Sequence, residues 1–147
     1  MCCLREASGK IAAYGRHTMI VNSNRILFSS TEYHREIDVE IGQWGEPAGP
    51  NAQFAIQPYY LPKHLFRFSS LAPNLTHTFR WTPGRAAFET TQQTSSAALP
   101  VAEHVFTSGI PTAGGERVRL NLYLYGQSKI AQEKEVEVVV EKFAFAP

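Results

Sequence analysis

The chain has 147 residues, 44% of them hydrophobic and 18% charged, with a formal net charge of +1. That is the composition of one globular domain, residues 1–147, long enough to bury a sizeable core. It excludes a disordered or fibrous chain, and a charge this near zero gives no electrostatic reason to expect nucleic acid or an anionic membrane as partner.

The first ten residues, MCCLREASGK, lack the apolar central segment of a secretion signal, since Arg5 and Glu6 interrupt it at once. No later run approaches the ~18 apolar residues of a membrane span. Cys2 and Cys3 are the only cysteines, which leaves neither a disulfide framework nor a CxxC metal pair. From Gly15 onward the chain reads as short strands. GRHTMIVNSN and RILFSS flank an Asn22–Asn24 turn, and HREIDVEI, beginning at His34, follows. GEPAGPN is a loop. AQFAIQPYYLP sets Phe54 and Ile56 against Gln53, Ala55 and Gln57, and LFRFSSLA sets Leu65 and Arg67 against Phe66 and Phe68. THTFRWTPGRAAFET predicts strand, Pro-Gly turn and strand, with Phe79 and Trp81 opposite Thr78 and Arg80. QQTSSAALPVAEH is small and polar and predicts an exposed loop. RVRLNLYLYG sets Leu120, Leu122 and Leu124 against Asn121, Tyr123 and Tyr125, and KEVEVVVEKFAF closes the chain by the same alternation. Only SKIAQEKE has helical composition, and it is too short to stand alone. The expected fold is all-β, an antiparallel β-sandwich of jelly-roll type.

Most catalytic motifs are absent. The five histidines, His17, His34, His64, His77 and His104, have no HxH or HExxH spacing, and no metal site or cofactor is expected. No GxSxG, GxxxxGK or GxGxxG stretch occurs. One feature stands out. In HREIDVEIGQWGEP, Glu36, Asp38 and Glu40 alternate with Ile37, Val39 and Ile41. A strand places the carboxylates on one face and the branched apolar residues on the other. Like charges stacked on one face repel, so such a row is either fully solvated or used. Backbone rise places Glu36 and Glu40 about 13 Å apart, and each side chain leans roughly 4 Å inward. The carboxyl groups then lie on the order of 5 Å apart, the separation of a retaining glycosidase, whereas inverting enzymes require about 6.5–9.5 Å. The charge of Asp38 between them favours keeping one neighbour protonated.

EIDVEI resembles the E-[I/L]-D-[I/V]-E signature of glycoside hydrolase family 16. HTFRWTPGRAAF resembles that family's strand with a W-x-P turn, RVRLNLYLYG its late L-N-L-aromatic strand, and EVEVVVEKFAF its closing strand. The four stretches occur in the family's order and cover Tyr33 to Phe145. The resemblance implies a concanavalin-A-like jelly roll that cleaves a β-linked polysaccharide or oligosaccharide with retention. Glu36 is then the nucleophile, Glu40 the general acid/base, and Asp38 the residue that tunes the pair. Trp44 shares their parity and is either a sugar platform or a packing residue. Gln53, Gln57, Asn121, Tyr123 and Tyr125 are candidate sugar contacts, with a solvent-facing or half-buried sheet position as the alternative. A lectin-like jelly roll that binds without cleaving is the second reading, and an inactive relative the third. Two departures stand out. Several strands precede the acidic strand in the family, whereas 35 residues precede Glu36 here. This implies a sandwich incomplete on its N-terminal side, secretion if that side is truncated, and a homodimer through the exposed edge. In addition, RAAFET stands where many members carry a V-D-G turn.

Overall fold

The computed structural model describes residues 4–10, 36–72, 74–112 and 139–146. The described residues contain eight strands: β1 (Leu4–Lys10), β2 (Ile37–Ile41), β3 (Ala52–Ile56), β4 (Leu65–Phe68), β5 (Asn74–Thr82), β6 (Arg85–Gln93), β7 (Ala98–Phe106) and β8 (Val139–Ala146). They form two sheets, one in the order β7-β6-β5-β1-β8 and the other in the order β2-β3-β4. Every pairing is antiparallel. The stretches Gly15–Ser30, Arg117–Gly126 and Ser128–Glu135 lie outside the described residues.

The alternation read in the sequence decides which side of each strand is apolar. Ile37, Val39 and Ile41 of β2 meet Ala52, Phe54 and Ile56 of β3 and Phe68 of β4 in one core. Phe79 and Trp81 of β5, Ala86 and Phe88 of β6 and Phe106 of β7 complete that core from the other sheet. The two sheets therefore face each other across a shared apolar layer. Phe54 is its centre, with ring centroids 4.7 Å from Phe68 and 4.9 Å from Phe88. Phe66 reaches across as well, and its ring stacks on His104 of β7 at 4.4 Å. Trp81 buries its indole in this layer and donates its N–H to the carbonyl of Pro111 at 2.9 Å, so its polar edge is satisfied.

The expected hairpin between β5 and β6 is present. Thr82 pairs with Arg85 across Pro83 and Gly84. Proline supplies the first central dihedral, and Gly84 takes the second at φ 70°, which a side chain would resist.

Two elements differ from expectation. The stretch expected to be an exposed loop is largely β7, which pairs with β6 from Ala98 to Phe106. Its outer position leaves most side chains exposed, so no apolar alternation marks it. Its Pro100 sits where the register slips between Thr90 and Thr91, a bulge that tolerates the missing N–H. Leu4–Lys10 is the other. Its sequence, LREASGK, has no strand pattern, yet β1 lies between β5 and β8 and pairs with both.

The larger sheet holds a buried polar pair. His77 of β5 lies opposite Thr90 of β6, and its Nδ1 is 2.8 Å from the threonine hydroxyl. Burial pushes the imidazole from 6.5 down to about 4, so it folds as the neutral ring. Between about pH 6.5 and 4 the unfolded chain takes up a proton that the folded chain refuses. Stability contributed by the neutral ring is therefore lost as pH falls through that window, by at most ~1.4 kcal/mol per unit. The urea midpoint of His77→Gln, lower at neutral pH, is expected to fall less steeply than wild type between pH 7 and 4. Parallel slopes would contradict this assignment.

Candidate active site

The second face of β2 carries Asp38 and Glu40, with Glu36 just before the strand. The ladder to β3 continues past Ile37, because the Gln57 N–H donates to the Glu36 carbonyl at 3.0 Å. This holds Glu36 in register with the strand. The row is not a solvated surface: Asp38 is 0% exposed and Glu40 8%, while Glu36 is half-buried. Both faces of β2 are thus buried, the apolar one in the core and the acidic one in a polar layer.

Strand β3 supplies that polar layer. Gln53 and Ala55 of the strand and Gln57 just beyond it lie on this face, the same set whose parity the sequence gives. Gln53 pairs directly with Glu40 and donates its amide to Glu40 Oε2 at 2.6 Å. Gln57 donates its amide to Asp38 Oδ2 at 2.8 Å. Ala55, opposite Asp38, is small enough to leave that carboxyl its space. Both glutamines, expected as sugar contacts, therefore hold carboxylates. The network runs on into β4, where Arg67 pairs with Gln53 and donates from Nε to Gln53 Oε1 at 3.1 Å. The same guanidinium meets Glu46 Oε2 at 3.2 Å and lies 5.0 Å from the centre of the Trp44 ring. The Arg67–Glu46 pair is exposed, so its value is positional more than energetic.

Trp44 is placed by an unusual backbone. It adopts φ 44° and is followed by Gly45 at φ 85°, within a loop closed by the bond from Gly42 N–H to the Asn51 carbonyl at 2.9 Å. A large aromatic residue in the left-handed region is strained, and such outliers gather at functional sites. The indole lies close enough to Glu40 to oppose the rise in its proton affinity, and it takes the Arg67 guanidinium on its ring.

The surroundings treat the acids differently. Burial holds Asp38 well above the ordinary carboxylate range, and the charges of Glu36 and Glu40 raise it further against the Gln57 hydrogen bond. Its Oδ1 is buried with no donor in reach, which suits a protonated carboxyl better than an anion. Glu40 is also raised, first by burial, while the donations from Gln53 and Trp44 pull it back. Glu36 raises Glu40 and Arg67 lowers it, so all three acids share one electrostatic neighbourhood.

The structure thus brings together Glu36, Asp38, Glu40, Trp44, Gln53 and Gln57. Asn121, Tyr123, Tyr125 and His34 lie outside the described residues. Arg67 was missed as a site residue, although its parity in LFRF was legible; what the sequence lacks is the register that sets it beside Gln53. Among the described residues no group of three or more His, Cys, Asp or Glu is arranged to hold a metal ion. Comparison with protein-family models, curated proteins and solved structures found no match.

Asp38→Asn keeps an acceptor for Gln57 and removes the buried acid. A carboxyl raised in the folded state contributes stability below its unfolded value, 3.8, and loses it as pH rises towards the folded value. The variant escapes this loss. Its urea midpoint is expected to gain on wild type as pH rises from about 4 to neutrality, by at most ~1.4 kcal/mol per unit. A difference independent of pH would contradict the assignment.

Proposed function

We propose that this chain is a retaining endo-glycosidase of the family 16 type, with a jelly-roll sandwich, acting on a β-linked polysaccharide. The observation that carries the reading is three carboxyl groups on one strand face, held in unlike environments by amides from the neighbouring strand. Glycoside cleavage by retention requires one carboxylate as nucleophile and one carboxylic acid as proton donor.

Glu36 is the most exposed of the three and is the nucleophile. Its carboxylate attacks the anomeric carbon as the glycosidic C–O bond breaks. Glu40, whose raised affinity for its proton suits an acid, delivers that proton to the departing oxygen. The resulting carboxylate then takes a proton from water, whose oxygen attacks the same carbon and releases Glu36. A sugar hydroxyl in place of water gives transglycosylation. Asp38 touches neither bond. Kept protonated, it can donate to the Glu36 carboxylate and orient it, which supports a positioning role. Gln53 fixes the direction of Glu40.

The test is hydrolysis of a panel of β-1,3-, β-1,4- and mixed-linkage glucans, agarose and carrageenan. Wild type is expected to cleave at least one member and to release a product with the substrate's anomeric configuration, read by proton NMR at early times. Glu36→Gln is expected to abolish cleavage. Glu40→Gln is expected to lower it by roughly 10²–10⁴-fold, the range of a lost general acid. Both variants are expected to stay retarded in a gel containing that glycan. An inverted product would overturn the mechanism, and retardation of wild type without cleavage of any glycan would favour the lectin-like reading.

A further inference from the structure

The segment after β3 carries the most exposed aromatic pair of the described residues. Tyr59 is 54% exposed and Tyr60 70%, with ring centroids 5.9 Å apart in an edge-to-face arrangement. Tyrosines this open in a chain with a buried aromatic core ask for a reason. Their position offers one. The Tyr59 N–H donates to Gln57 Oε1 at 3.1 Å, and the same Gln57 amide donates to Asp38 at 2.8 Å. The backbone of Tyr59 therefore sits on the acidic face of the sheet, one side chain away from the carboxyl row. The Gln57 N–H is bonded to the Glu36 carbonyl, so this is the Glu36 end of the row.

The turn is also built to hold its shape. Leu61 N–H donates to the Pro58 carbonyl and His64 N–H to the Leu61 carbonyl, both at 3.2 Å. Ile56 N–H donates to the His64 carbonyl at 2.9 Å, and the buried His64 ring has its Nδ1 3.2 Å from the Pro58 carbonyl. Lys63 takes φ 64° to close the turn. Rings held by a fixed turn lose little freedom on binding.

We propose that Tyr59 and Tyr60 form a glycan-stacking platform at the Glu36 end of the acidic face. This rests on the reading of that face as a carbohydrate site. A pyranose presents an apolar face on which an aromatic ring stacks, the chemistry that an exposed tyrosine ring answers. Trp44 stands at the Glu40 end, and the row between spans about 13 Å along the strand. A ligand that touches both ends is a chain of several sugars, not a monosaccharide, which is the substrate of an endo-acting enzyme.

The test uses affinity electrophoresis of the full chain in gels cast with the same panel of glycans, scored on the one that retards wild type most. Tyr59→Ala/Tyr60→Ala is expected to weaken retardation roughly tenfold, the scale of two lost ring contacts. Tyr59→Phe/Tyr60→Phe, which keeps both rings, is expected to bind like wild type. Both are expected to melt at the wild-type temperature, since the rings are exposed. Full binding by the alanine variant would overturn the platform and leave the acidic site standing. Loss of binding in the phenylalanine variant would also overturn it, because hydroxyl contacts and not stacking would then hold the glycan. Failure of wild type to bind any panel glycan would overturn the carbohydrate reading itself, and the platform with it.

Discussion

Three like charges placed on one strand face repel one another, and removing them from water adds a larger cost. Strand β3 relieves both terms with two glutamines. Gln53 and Gln57 each turn one amide N–H onto a carboxyl of β2, and the burial that remains is met by raised proton affinity at Asp38 and Glu40. The rest of the site follows from this pairing. Gln53 must face Glu40, so β3 must hold its register, and Arg67 must stand behind Gln53 on β4. A one-residue slip between β2 and β3 would bring core residues against the acids.

The core fixes that register. Ile37, Val39 and Ile41 lie on the opposite side of the same strand, packed against Phe54 and its aromatic neighbours from both sheets. Moving β2 by one residue would drive carboxyls into that layer, at a cost of several kcal/mol for each buried unpaired charge. Apolar packing on one face thus positions chemistry on the other. The strained turn at Trp44 adds the last element, since it sets the indole beside the Arg67 guanidinium that holds Gln53.

The sequence made much of this legible. Strict alternation in EIDVEI and AQFAI gives the two faces of β2 and β3, and the Pro-Gly pair gives the β5–β6 hairpin. Other features depend on partners far along the chain. LREASGK becomes a strand because two neighbours pair with it, and Ala98–Phe106 because β6 does, with neither carrying an apolar pattern of its own. The roles of Gln53 and Gln57 show the same limit. Parity assigns them to the acidic face, but only cross-strand register shows that their amides are engaged by acids. Arg67 is read as one member of an alternation until β4 is set beside β3. The exposed Tyr59–Tyr60 pair lies in a stretch read only for its strand, and its closeness to Asp38 runs through a side-chain amide that periodicity does not register.

The central claim is that β2 carries a carboxyl row whose members are held at different proton affinities by burial and by β3. Carbon-13 NMR titration of the side-chain carboxyls in Asp- and Glu-labelled protein measures this directly. The account predicts that the Asp38 and Glu40 signals titrate above the ordinary carboxylate range, with Asp38 well displaced and both absent from the spectra of their respective amide variants. Titration of both groups within the ordinary carboxylate range would contradict it.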